Sequence, residues 1–262
     1  MRRLAASLAL ALLALAPFAQ PADAQETKIA KQHWSFDGLF GTFDRAAAQR
    51  GFQVYKEVCS ACHAMTYLSY RHLAEIGFDE ENIRAIAASV EVQDGPNDQG
   101  EMFTRPGRPS DRFAKPYAND KAARAVNNGA LPPDLSMIVR AREGGPDYVF
   151  AVLTGYGNPP ADMKLMEGMN YNAAFPGHQI AMPPPLSDGV VTYTDGTKGT
   201  LDNYARDVSA YLMWAAEPKL EERHRTGVRV LLFLAVFAAI MYLAKRTVWA
   251  PLHRHDDAPH TT

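Results

Sequence analysis

The chain has 262 residues, 47% of them hydrophobic and 21% charged, with a formal net charge of −2. That balance excludes a disordered polar chain and offers no basic field for nucleic acid, so no nucleic-acid partner is expected. With only two cysteines, a disulfide-dense scaffold is excluded as well.

Residues 1–24 read as a cleaved signal peptide: Arg2 and Arg3, an apolar run from Leu4 to Pro17, and Ala22-Asp23-Ala24 as a small-x-small cleavage site. The mature chain then begins at Gln25. A retained anchor is the competing reading, but the run is short for a spanning helix. A short leader poor in arginine and serine points to a bacterial periplasm rather than to mitochondrial import.

Next comes a helical stripe of Ala47, Gly51, Val54, Tyr55 and Val58, with Asp44 placed as N-cap. It delivers Cys59-Ser60-Ala61-Cys62-His63, the C-x-x-C-H pattern of c-type haem attachment. The spacing lets both thiols add to the haem vinyl groups, and the adjacent histidine brings an imidazole nitrogen to the iron. One motif predicts one covalently attached haem c. A zinc site would need a second Cys/His pair at ligand spacing, and a redox dithiol a βαβ context; the sequence has neither.

Between Glu75 and Met102 stand eight acids (Glu75, Asp79, Glu80, Glu81, Glu91, Asp94, Asp98, Glu101) against one base, Arg84. Such a block suits electrostatic docking of a basic protein; the plainer reading is a solvated loop. The chain then turns rich in Gly and Pro, as in Asp94-Gly95-Pro96, Leu131-Pro132-Pro133 and Pro183-Pro184-Pro185, which predicts long irregular segments ordered around an apolar cofactor. A short helix is predicted at Asp147–Thr154, and a hairpin around Val190–Tyr193 with its turn at Thr194-Asp195-Gly196.

The last helix of the exported part carries Leu201, Tyr204, Ala205, Val208, Tyr211, Leu212 and Ala215 at three- and four-residue steps, with Thr200 as N-cap and Pro218 as stop. Gly51 in the first helix costs about 1 kcal/mol against Ala unless it permits a close crossing. It is therefore predicted to pack on the aromatic face of Tyr204, Tyr211 or Trp214.

His63 supplies one axial bond, and the sixth position stays open between several donors. Met182 precedes three prolines that stiffen an extended segment able to hold a side chain against iron. Met163, Met166 and Met169 compete with it, and His178 is the alternative nitrogen donor. A thioether there makes an electron carrier, whereas an open position would make a haem enzyme or sensor.

Val230–Ala244 is free of charge, flanked by Arg229 and by Lys245 and Arg246, with Trp249 at the interface. Fifteen residues rise only about 22 Å, so the span must recruit Thr226–Val228 and let the flanking bases snorkel. The reading is a single transmembrane anchor at 226–246, with the signal peptide placing residues 25–225 in the periplasm and the tail 247–262 in the cytoplasm. The fold class is mainly α: a helical haem domain with long Gly/Pro-rich loops and one C-terminal membrane helix, which the resemblance that follows identifies as cytochrome c-like.

At this point the chain resembles the cytochrome c1 family. The resemblance rests on Arg50-Gly51-Phe52-Gln53-Val54-Tyr55, Glu91 to Pro106, Asn127 to Arg142, Asp147-Tyr148-Val149-Phe150, Ala181-Met182-Pro183-Pro184 and Trp214-Ala215-Ala216-Glu217-Pro218. It implies Met182 as sixth iron ligand and places Arg142 and Tyr148 at the haem propionates. It also implies an electron-transfer subunit of a quinol:cytochrome c oxidoreductase, with cytochrome b and a Rieske iron-sulfur subunit as partners and a soluble or anchored c-type cytochrome as acceptor. No catalytic residue of its own is implied; the runner-up is a tethered donor cytochrome acting alone. Some members of this family carry an extra cysteine pair before the ligand methionine. Here Gly155-Tyr156-Gly157-Asn158 occupies that region, so packing and turns alone are expected to fix the loop.

Overall fold

The computed structural model describes residues 29–256, with side chains described as far as residue 250. The expected signal peptide and the end of the tail lie outside these residues.

Helix α1 (Arg45–Glu57) starts where the Asp44 carboxylate accepts from the Ala47 amide at 3.1 Å. Helix α6 (Leu201–Ala216) starts where the Thr200 hydroxyl accepts from the Asn203 amide at 3.3 Å. Both caps satisfy amides that a first turn leaves without partners. Helix α6 ends just ahead of Pro218, as expected of a residue preceding proline.

The two helices cross at Gly51. A Cβ on Gly51 would lie 2.1 Å from the Asp207 carbonyl oxygen and 2.6 Å from Tyr211 Cβ, so Tyr211 is the aromatic partner and the α6 backbone is closer still. Beside the crossing, Arg50 forks onto Asp207, with Nε 2.7 Å from Oδ2 and Nη2 3.0 Å from Oδ1. Asp207 is buried, and a buried carboxylate is tolerable only with such pairing. Phe52, Tyr55, Phe113 and Tyr211 stack around this point, with ring centroids 5.8 to 6.0 Å apart.

The stretch between α1 and α6 is more ordered than its glycines and prolines predicted. It holds a 3-10 helix at Tyr70–Ile76, α2 (Glu80–Ala88), the antiparallel pair β1 (Glu91–Asp94) and β2 (Phe103–Pro106), α3 (Asp120–Val126), α4 (Ile138–Ala141) and α5 (Gly145–Thr154). A second small pair follows, β3 (Asn170–Tyr171) with β4 (Gln179–Ile180), in which Asn170 faces Ile180. Helix α5 is the predicted short helix, begun two residues earlier at Gly145.

The hairpin expected at Val190–Tyr193 does not form. Val191 and Tyr193 do point inward, but the Tyr204 hydroxyl donates to the Val191 carbonyl and accepts from its amide at 3.1 Å, taking the place of a partner strand. A hairpin forms instead at the end of the acidic block, where β1 pairs with β2 and Arg105 bridges Asp94 and Asp111. Glu-Val-Gln-Asp carries too little apolar alternation to announce a strand.

Helix α7 (Leu220–Asp256) is 37 residues long, about 55 Å. Its most apolar 18-residue stretch has a mean hydropathy of 2.3 and no buried residue. The helix runs unbroken through the expected boundaries at 225/226 and 246/247. Its first turn belongs to the domain: Leu220 is buried, and Glu221 accepts from the Phe43 amide at 2.8 Å and pairs with Arg45 at 3.0 Å.

Two outcomes follow from this packing. Gly51→Ala forces the α1 and α6 backbones apart and is expected to cost about 3 kcal/mol, read as a lowered Tm of the detergent-solubilised protein. Ending the chain after Glu222 keeps Leu220 and Glu221 and is expected to give a soluble haem protein with an unchanged optical spectrum; aggregation with loss of haem would place the rest of α7 in the core.

Candidate functional site

Helix α1 hands its last turn directly to the cysteine motif. Cys59–Ala61 form a single 3-10 turn in which the Cys59 carbonyl accepts from the Cys62 amide at 3.1 Å and from the His63 amide at 2.8 Å. The turn is tied back to α1 by the Ser60 hydroxyl, which donates to the Lys56 carbonyl at 2.7 Å. Both thiols are free and half-buried. Apolar burial, with a smaller push from Cys62, raises the Cys59 thiol to about 12. A nucleophilic redox cysteine needs the opposite shift, so the dithiol alternative finds no support here.

His63 is oriented by a backbone contact. Its Nδ1 lies 2.8 Å from the Pro133 carbonyl oxygen, which can only accept, so Nδ1 carries the proton and Nε2 keeps a free lone pair. This is the arrangement by which proteins present a histidine to a metal. Burial holds the imidazole below the ordinary histidine range, partly offset by Pro133 and Asp134. The neutral, ligating form is thus the favoured one.

Pro133 is held in place by the residues around it. The Leu135 amide donates to the Ala64 carbonyl at 2.9 Å, and the Asp134 carboxylate accepts from Thr66 at 2.9 Å and from Ser136 at 2.8 Å. The Ser136 hydroxyl, fully buried, accepts from the Tyr67 amide at 3.1 Å. Burial pushes the Asp134 carboxyl up, but hydrogen bonds from Ser136 and Thr66 outweigh it and leave the group below the usual carboxylate range. A cleft of about 320 Å³ opens beside this seam, lined by Cys62, Leu131, Pro132, Pro133 and Asp134 among others.

Arg142 follows α4 and Tyr148 lies on α5, and the two are neighbours. Burial raises the Tyr148 phenol and Arg142 lowers it in part. Tyr148 also packs in a small apolar cluster with Val152, Ala174 and Ile180, and Met182 is a member of the same cluster. Met163, Met166 and Met169 are not among its members, and Met166 is 60% exposed. His178 lies beside Tyr171 instead, with ring centroids 6.0 Å apart. Of the candidate sixth ligands, Met182 alone shares a cluster with Tyr148.

The donor set fits a covalent c-type haem: two free thiols on one turn, an imidazole with a free Nε2, and a half-buried thioether. Half-exposed Leu131 and Met137 flank Pro133 and offer apolar surface for a macrocycle to cover.

Several residues that build this site went unnoticed in the sequence. Pro133 acts through its carbonyl, which no side-chain pattern reveals. Asn172 is fully buried; its Nδ2 donates to the Val152 carbonyl at 2.7 Å and its Oδ1 accepts from the amides of Ala174 at 3.0 Å and Phe175 at 3.1 Å. The loop before Met182 is therefore held by side-chain hydrogen bonds, and not by packing and turns alone. In the sequence, the Gly155-Tyr156-Gly157-Asn158 stretch and the Asn170-Tyr171-Asn172 segment are the signals that mark it.

Residues 34–252 match the model of the Cytochrome C1 family. Cytochrome c1 of Rhodospirillum rubrum is 48% identical over 235 residues, which cover 84% of this chain and 86% of that protein. A mitochondrial cytochrome c1 haem protein of Arabidopsis thaliana is 51% identical over 221 residues, covering 84% of this chain and 71% of that one. Cytochrome b/c1 of Bradyrhizobium diazoefficiens is 49% identical over 242 residues; the match covers 84% of this chain and only 35% of that longer protein.

Proposed function

The chain belongs to the cytochrome c1 family, and from that premise we propose that it accepts single electrons from a Rieske iron-sulfur subunit and passes them to a c-type cytochrome, in a complex that also holds cytochrome b. At the coarser level it is a haem electron-transfer subunit of a cytochrome bc1 complex, with a covalently bound haem c.

The observation that carries the proposal is the His63 Nδ1 contact with Pro133, which leaves Nε2 to face a metal. Haem, when bound, supplies a reversible one-electron change at its iron. Cys59 and Cys62 would hold the ring through thioethers. His63 would hold the iron through Nε2, and its Nδ1 proton, shared with Pro133, keeps the imidazole in one tautomer and orientation. Met182 would hold the iron through a soft sulfur, which favours ferrous iron and raises the potential. Arg142 and Tyr148 would hold the propionate side, the guanidinium offsetting carboxylate charge and the phenol donating a hydrogen bond.

Localisation follows the same reading: a signal peptide at 1–24 is removed, residues 25–225 lie in the bacterial periplasm, 226–246 cross the inner membrane once, and 247–262 face the cytoplasm. The exposed apolar face and length of α7 support the anchor. Co-purification with cytochrome b and a Rieske protein tests the assembly; purification alone would favour a tethered donor cytochrome.

The acidic block serves to dock the basic acceptor. Asp94 is taken up by Arg105, and Glu80 pairs with Arg84 at 2.5 Å, while Glu75, Glu81, Glu91, Asp98 and Glu101 stay exposed around α2 and the β1–β2 hairpin. Replacing Glu80 and Glu81 by Gln is expected to slow reduction of the acceptor several-fold at low salt and little at ~0.15 M, where screening limits charge effects to about 8 Å. An equal loss at every ionic strength would indicate a folding defect instead.

Met182→Leu removes the sulfur at nearly constant volume and leaves haem attached through Cys59 and Cys62. The potential is expected to fall well below that of the donor, with about a tenfold change in equilibrium for each ~59 mV, and turnover to collapse in an assembled complex. The same change at Met163, Met166 or Met169 is expected to leave the potential unmoved; the ligand assignment would be falsified by the reverse pattern.

A further inference from the structure

Met182 sits at a place where ordinary backbone pairing has run out. The β3–β4 ladder ends with Ile180 opposite Asn170. Pro183, Pro184 and Pro185 follow, and none of them has an N–H to donate. Past the ladder, side-chain donors must reach in for the Met182 carbonyl.

Two of them do. The Tyr156 hydroxyl donates to the Met182 carbonyl at 3.0 Å, and the Asn170 amide approaches the same oxygen at 3.4 Å. Both donors stand on fixed ground. Tyr156 follows α5 directly and forms a bridge with Asn172, whose buried side chain is bonded to the end of α5. Asn170 is in the ladder itself. A residue preceding proline is confined to extended backbone, so the direction of its carbonyl and the course of its side chain are coupled.

Resting on the reading of Met182 as the sixth ligand, we propose that Tyr156 and Asn170 are positioning residues: they clamp the Met182 carbonyl and so fix how far the thioether reaches toward iron. Tyr156 carries the larger part, because its bond is the shorter and an amide at 3.4 Å is near the limit of a hydrogen bond. The clamp performs in this chain what a covalent cross-link of the loop would perform, with hydrogen bonds to one acceptor. Asn172 stands behind it by referring Tyr156 to α5, the helix that also carries Tyr148.

The test uses the whole haem-loaded protein in detergent, with Tyr156→Phe, Asn170→Ala and the double variant, and Met182→Leu as reference. Imidazole is the competing ligand for the ferric iron and carbon monoxide for the ferrous iron. Tyr156→Phe keeps the ring and loses one hydrogen bond, so imidazole should bind about tenfold more tightly. Asn170→Ala should have a smaller effect. The double variant should lose most of the methionine-to-iron charge-transfer band, admit carbon monoxide, and shift the redox equilibrium at least tenfold, about 59 mV downward. A lower Tm with band, potential and imidazole affinity unchanged overturns the clamp and leaves these residues a purely structural part. If the double variant fails to hold haem, Tyr156→Phe decides alone by its imidazole affinity. Should Met182→Leu itself keep the band, the ligand reading fails first; should it lose the band while the clamp variants do not, only the clamp fails.

Discussion

The close approach of α1 and α6 at Gly51 is the contact on which the rest of the molecule depends. With hydrogen in place of a side chain, the α6 backbone at Asp207 comes to a distance that no other residue permits. That proximity lets Arg50 reach the Asp207 carboxylate with both arms of its fork and brings Phe52 and Tyr55 onto Tyr211. The charge pair is nearly buried and would be costly if broken, so it specifies the register of the crossing as well as holding it. Cys59 lies two residues past the end of α1. Its position is therefore inherited from the crossing.

From there the site is assembled by side chains that bond to backbone, in a region with little ladder of its own. Asp134 and Ser136 collect the amides of residues 66, 67 and 136, and this seam carries the Pro133 carbonyl to His63. Asn172 does the same for the loop ahead of Met182, and Tyr204 for Val191. Such groups must be fully paired when buried, which makes each seam an all-or-none arrangement. A region rich in glycine and proline thereby reaches the rigidity that a redox site needs if its geometry is to stay the same in both oxidation states.

The N-terminal segment and the long final helix are fastened to this frame by charge and aromatic contacts. Trp34 donates to Asp147 at 2.6 Å, and the Arg206 guanidinium lies over the rings of Trp34 and Phe150, so α5 and α6 are strapped together. Glu217 receives Arg140 from α4, the helix that Arg142 follows, and also Arg223 from α7. The start of the apolar helix and the helix leading to Arg142 thus meet at one carboxylate. A continuous α7 is rooted in the core by Leu220, so the apolar stretch follows the domain without a break in the helix.

The local elements were legible from the chain alone because their causes are local. Periodic apolar residues and N-caps announced α1 and α6, and the short helix at 147–154 was visible for the same reason; charge-free length announced the apolar helix, and C-x-x-C-H announced a covalently attached haem c. Gly51 even revealed a crossing before its partner was known. What the chain could not reveal depends on backbone atoms meeting over long separations. The Pro133 carbonyl at His63, the hairpin at the end of the acidic block, the Tyr204 hydroxyl that replaces a strand at Val191, and the two donors on the Met182 carbonyl all join segments distant in sequence. Every residue has a carbonyl, so its identity says nothing about which one will be used; only the packed structure selects it, through the geometry that brings a buried donor within reach and leaves it no water to bond instead.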